Sequence, residues 1–150
     1  MDRYIIARES TISRPIWDRH RFVCYKDGGK VGYLLVFIGK RRAIGSYVKM
    51  VNYRSALVKE VMIKDSERGN GIASVILASL MSYLERESDG KGYTFYVKSW
   101  IPFTKDAWCW RKRYFPHFKS IIIGSGEQKR LKSQIEQKYG GNKSLSYHFN

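Results

Sequence analysis

Arg68-Gly69-Asn70-Gly71-Ile72-Ala73 joins a run of strand-forming residues to a run with helical periodicity, through two glycines. Ahead of it, Leu57, Val58, Val61, Met62 and Ile63 make an apolar, β-rich stretch. Behind it, Ile72, Val75, Ile76, Ser79, Leu80, Tyr83 and Leu84 fall at i, i+3, i+4, i+7, i+8, i+11 and i+12. That spacing is the buried stripe of an amphipathic helix. Without a Cβ, the backbone at Gly69 and Gly71 can turn tightly and admit a ligand oxygen, while the first N–H groups of the helix point outward unpaired. Those donors, together with the positive end of the helix dipole, suit a phosphate. The segment reads as a pyrophosphate cradle.

No Gly-Lys-Ser/Thr sequence is present, which removes the nucleoside-triphosphate loop, and no GxGxxG, which removes the ordinary dinucleotide fingerprint. The remaining pattern, Arg-x-x-Gly-x-Ala after a strand, resembles the acyl-CoA signature of the GNAT superfamily of N-acyltransferases, Arg/Gln-x-x-Gly-x-Gly/Ala; a purely structural glycine turn is the alternative. The resemblance extends upstream to Phe22–Phe37, two β-rich runs around Asp27-Gly28-Gly29, a strong hairpin signal. Downstream it takes in the β-branched, aromatic run Tyr93–Val97 and the segment Ala107–Phe115, similar to a family helix with Ala-x-x-Tyr followed five residues later by Phe. It covers roughly residues 20 to 118, and implies an α+β fold: a central mixed, mostly antiparallel sheet flanked by helices.

A chain of 150 residues is expected to form one domain, 1–150. No run reaches the length of a membrane helix, and Met1-Asp2-Arg3-Tyr4 opens no signal peptide. Cys24 and Cys109 lack CxxC spacing, and His20, His117 and His148 are scattered, so no metal site is expected and free thiols in the cytoplasm are. The net charge of +15 attracts polyanions, nucleic acid first among them. Lys40-Arg41-Arg42 is read as one basic turn. Arg111-Lys112-Arg113 is a second cluster, beside Trp108, Trp110, Tyr114 and Phe115. Cations among aromatic faces suit unpaired bases, although Trp108 and Phe115 are expected in the core.

The first strand is expected over Tyr4–Ala7, and Ser13-Arg14-Pro15 breaks any helix after it. The GNAT family usually places two helices there, walling one side of the substrate groove. Room for little more than one turn predicts a shortened N-terminal helical region and an open groove suited to a large acceptor. Beyond Phe118, Ile121–Ile123 reads as a short strand, Gln128–Tyr139 as a polar helix ended by Gly140-Gly141, and Leu145–Phe149 as an edge strand.

The resemblance also implies site residues. The strand residues Val61, Met62 and Ile63 would hold the pantetheine of acetyl-CoA through backbone groups, and Arg68, Gly69, Asn70, Gly71, Ile72 and Ala73 its phosphates. Thr104 stands where the family often has Asn. Glu60, eight residues before Arg68, is the candidate base; pairing with Lys59 or Lys64 on an exposed face is the alternative. Strand alternation puts Glu60 and Val61 on opposite faces unless a bulge intervenes. The family's thiol acid is commonly the Tyr of Ala-x-x-Tyr, and here that position is Trp110, whose indole cannot deliver a proton. Tyr114 is the candidate in its place, with Tyr96 and Cys109 also near. The implied activity is acetyl-CoA-dependent N-acetyl transfer to a protein amine or an aminoacyl-tRNA. Two alternatives stand beside it: a nucleobase-modifying relative of momylase type, and a non-catalytic basic protein that binds nucleic acid or protein.

Overall fold

The computed structural model describes residues 2–42, 53–100, 104–115, 120–141 and 143–149. Among these, seven strands form one sheet: β1 (Asp2–Ser13), β2 (Trp17–Lys26), β3 (Gly29–Arg42), β4 (Tyr53–Ile63), β5 (Thr94–Ser99), β6 (Ile121–Ile122) and β7 (Lys143–Phe149). Three α-helices accompany them: α1 (Ile72–Lys91), α2 (Lys105–Tyr114) and α3 (Gly126–Gly140). The spatial order is β6-β5-β4-β3-β2-β1-β7. β4/β5 and β1/β7 are parallel and the other four pairs antiparallel. The class is the expected mixed, mostly antiparallel α+β arrangement.

The β2–β3 hairpin closes through Asp27 and Gly28, both at positive φ (49° and 88°), with Lys26 paired to Gly29. This handedness matches the strand twist, which is why Asp-Gly serves there. β1 is far longer than Tyr4–Ala7. Its apolar alternation stops after Ile6, but its ladder with β2 continues past an irregularity between Arg8 and Ser10 to Ser13. Backbone pairing to a neighbouring strand sustains a segment whose side chains give no strand signal. A tight connection over 14–16 leads into β2, with the Trp17 carbonyl accepting from the Arg14 N–H at 2.9 Å. No helix forms there, where the sequence left room for one turn.

All seven stripe residues of α1 are buried, and so are Ser74, Leu77, Ala78 and Met81 on its other side. The inner sheet face covers the stripe; α3, which also touches β6 and β7 at the two ends of the sheet, packs on α1 as well, and Tyr114 of α2 meets Ser74. Each fully buried aliphatic side chain here contributes about 1.5–3 kcal/mol. The helices are tied to one another: Ser74 Oγ to Tyr114 Oη at 2.6 Å, Arg113 to the Tyr139 hydroxyl at 3.4 Å, and Gln128 Nε2 to Glu85 at 2.6 Å. All three pack on one face, and no helix among the described residues covers the other.

Lys40 and Arg41 continue β3 rather than forming a turn, because Trp17–Gly39 pairing and the Lys40 N–H to Ile16 carbonyl bond extend the hairpin to its end. The side chain of Arg42, and His117, Phe118 and Lys119, lie outside the described residues. No described helix is long and apolar enough to cross a membrane.

His20 is buried where β1, β2 and α1 meet, its Nδ1 3.4 Å from both the Arg8 guanidinium and the Thr11 hydroxyl. Burial, then the Arg8 charge, push its pKa from 6.5 down to about 4. The unfolded chain therefore takes up the proton first, and stability is lost as pH falls from about 6.5 towards 4. A pH series of denaturant midpoints should show this loss, and His20→Gln should flatten it.

Candidate active site

The β4–β5 ladder runs from Tyr53–Thr94 to Val58–Ser99, and the Trp100 N–H gives a last bond to the Val58 carbonyl at 3.3 Å. Beyond it, Glu60–Ile63 pair with β3 alone among the described strands. Among the described residues, no strand pairs with the other side of that stretch, where the Ile63 carbonyl accepts from the Arg68 Nε–H at 3.5 Å and the remaining backbone groups can hydrogen-bond an extended, amide-bearing chain. At the same place the β3–β4 register slips, from Val36–Val58 to Leu35–Glu60, leaving Lys59 bulged. The bulge changes the parity of the strand. Ala56 and Val58 point into the core before it, and Val61 and Ile63 pack against the core after it. Glu60 and Met62 are exposed on the opposite face. Since the slip comes one residue before Glu60, Glu60 and Val61 still look opposite ways.

The chain reaches α1 through a short 3-10 turn over Asp65–Glu67, then Gly69 and Gly71 at φ 85° and 74°. α2 starts at Thr104, whose hydroxyl accepts from the Ala107 N–H at 3.1 Å, and has Asp106 in its first turn. α3 starts at Ser125, which accepts from the Gln128 N–H at 3.1 Å, and has Glu127 in its first turn. α1 has neither device: Gly71 supplies no capping side chain, and its first turn holds no acid. Its donors and dipole are left for an anion. Arg68 stands at the mouth, 3.2 Å from Asp65 and 3.8 Å from Asp106, both exposed. Asn70 donates to Glu67 at 3.3 Å, and Glu67 holds Lys26 at 3.2 Å.

No family model and no curated protein matches the chain. Among solved structures, a point mutant of the AtaT toxin bound to the C-terminus of the antitoxin AtaR superposes with a TM-score of 0.53 at 15% identity, over 77% of this chain and 72% of that one. The fold is that of the GNAT superfamily. AtaT complexed with acetyl-methionyl-tRNAfMet gives a TM-score of 0.50 at 15% identity, covering 75% of each chain. The ribosomal-protein-alanine N-acetyltransferase from Brucella melitensis biovar Abortus 2308 gives 0.44 at 15% identity over 63% of this chain, which spans 61% of that protein's length.

The GNAT fold separates the two candidate catalytic side chains. Glu60 lies on the helix-free face beside Tyr33; burial first, and then the Glu60 carboxylate, raise the pKa of the Tyr33 hydroxyl. Tyr114 is buried on the helix face with its hydroxyl on Ser74. Trp110, in the GNAT tyrosine position, packs its ring at 5.6 Å from Tyr114 and 5.8 Å from Phe115. Thr104 uses its oxygen as a helix cap. Phe115 is in the core as expected, but Trp108 is exposed, because the short α2 buries only Arg111 and Tyr114 and turns that ring outward. Tyr33 has no motif to mark it. Only the β3–β4 register, bulge included, reveals it as a neighbour of Glu60.

The two glycines are not equivalent. A Cβ at Gly71 would overlap the Tyr139 ring of α3, whereas one at Gly69 meets nothing within 4 Å. The close approach that requires glycine at 71 is thus to Tyr139 rather than to a ligand. Gly71→Ala should lose about 2–4 kcal/mol, from backbone strain and overpacking together, and Gly69→Ala about 1–2 kcal/mol from strain alone. Urea denaturation of the two variants, with Tyr139→Ala added to the first to recover part of its loss, checks this difference.

Proposed function

We propose that this chain is an acetyl-CoA-dependent N-acetyltransferase whose acceptor is an amine on a macromolecule. The observation that carries the reading is that α1, unlike α2 and α3, begins without a side-chain cap or an acid in its first turn, one short turn after the end of β4 that no described strand covers. A pyrophosphate fits the N–H groups of Gly69, Asn70, Gly71, Ile72 and Ala73, with Arg68 beside it. The amides of a pantetheine arm fit the edge formed by Val61, Met62 and Ile63. Acetyl-CoA would supply an activated acyl carbon on a good leaving thiolate.

The chain's own groups supply the rest. An amine must be uncharged to attack, and Glu60 accepts its proton directly or through water. The Tyr33 hydroxyl, kept protonated by burial and by the carboxylate, holds Glu60 in place. Backbone N–H groups on the free side of β4 donate to the developing oxyanion. Tyr114 is better suited to fastening the first turn of α1 through Ser74 than to protonating the thiolate, which is a good enough leaving group to depart without it. The complex of AtaT with acetyl-methionyl-tRNAfMet, on the same fold, supports an aminoacyl-tRNA as one acceptor, and the net charge of +15 agrees with a polyanion.

Glu60→Gln should lower turnover about hundredfold while leaving acetyl-CoA affinity nearly unchanged. Labelled acetyl-CoA incubated with tRNA, DNA and protein mixtures, read by intact mass, measures both turnover and acceptor class; unchanged turnover would make Glu60 a surface charge. At the open glycine, Gly69→Asp should weaken acetyl-CoA binding about tenfold relative to Gly69→Asn, since only the former adds a carboxylate. Calorimetric titration separates the two.

A further inference from the structure

We infer that the helix-free face of the sheet docks the unpaired nucleotides of a single-stranded nucleic acid. Strand alternation brings Trp17, Arg19 and Arg21 of β2, Phe37 of β3 and Lys98 of β5 out on that face, and the bulge at Lys59 adds a further cation. Trp17 and Phe37 stack with centroids 4.5 Å apart at 17°. Trp100, 50% exposed, lies 3.1 Å under the Lys59 ammonium, which is also 5.9 Å from the Phe37 ring. The Arg21 guanidinium lies 4.8 Å over Tyr33. The result is a layer of flat rings interleaved with cations.

Glu60 is an acid on this face, and the cations outnumber it. Among the described residues, Lys26 pairs with Glu67, Lys40 with Asp18 and Lys132 with Glu85, while Arg19, Arg21, Lys59 and Lys98 have no carboxylate partner within 4 Å. An acidic peptide would answer the charge but has no use for stacked rings. A base offers a π face and its phosphate a negative charge, so a single strand satisfies both at once. A duplex would meet the charge and leave the rings unused. The basic clusters that stand out in the sequence fit less well: Lys40 is held by Asp18 and Ser13, and Arg111 is buried.

Glu60 lies on the same face, so an amine carried by the docked strand would be delivered to the proposed base. The inference rests on the proposed function only for that delivery; docking itself is tested separately. The full chain is titrated against fluorescein-labelled single-stranded RNA and DNA of about twelve nucleotides, their duplexes, and polyglutamate, by anisotropy at several salt concentrations. Single strands of either sugar should bind more tightly than duplex or polyglutamate. Trp100→Ala should weaken binding about tenfold. Lys59→Gln with Lys98→Gln should weaken it and flatten the salt dependence by about one to two counterions. Lys129→Gln with Arg130→Gln on α3, an equal loss of charge, should change neither. Equal losses from the two charge pairs, duplex or polyglutamate binding as tight as single strand, or no binding at all would overturn the inference. Circular dichroism checks each fold, and if Trp100→Ala does not fold, the two charge pairs decide. Acetyl-CoA binding without strand binding would sink the docking surface alone; the converse would sink the transferase reading alone.

Discussion

Enclosure of α1 is the constraint from which the rest of the structure follows. Its first face is buried against β2, β3, β4 and β5, its second against α3, and only its charged C-terminal turns emerge. A helix so surrounded cannot slide or rotate without opening cavities, each at a cost of kilocalories per mole. Its N-terminus is therefore fixed against the end of β4. The Tyr139 ring on Gly71 and the Ser74–Tyr114 hydrogen bond hold that end from two further directions. An anion site made of backbone donors needs this fixity, since mobile donors would have to be ordered by the ligand at an entropic cost.

The same enclosure divides the sheet into unlike faces. Because α1, α2 and α3 all gather on one side, most of the core lies there, and among the described residues the other side carries aromatic rings with lysine and arginine head groups set over them. Long cationic side chains laid on rings shield apolar surface from water. The Lys59 bulge links the two faces. It returns Val61 and Ile63 to the core, and turns Glu60 to the outer side beside Tyr33.

Much was legible in the sequence. The stripe from Ile72 to Leu84, the Asp27-Gly28 turn and the glycine-rich entry to α1 are local patterns, set by side-chain period and by the positive-φ tolerance of glycine, so they can be read along the chain. The extent of β1 was not legible, because its polar half is a strand only through hydrogen bonds to β2. Nor was burial on the second side of α1, where Ser74 and Ala78 look like the exposed side of an amphipathic helix until the other helices pack on α1, Tyr114 of α2 meeting Ser74.

For the candidate site the division is similar. Residue order along the chain establishes that a strand leads into two glycines and a helix, and that the molecule carries a large excess of positive charge, because these depend on residue types in succession. Packing in three dimensions determines which glycine faces open space, that Glu60 meets Tyr33 rather than Tyr114, that α1 alone among the described α-helices begins without a side-chain cap, and which of the described cations lack an acidic partner. Each of those depends on register across strands or on packing between helices distant in sequence, and a single slipped residue at Lys59 is enough to change which face a side chain reaches.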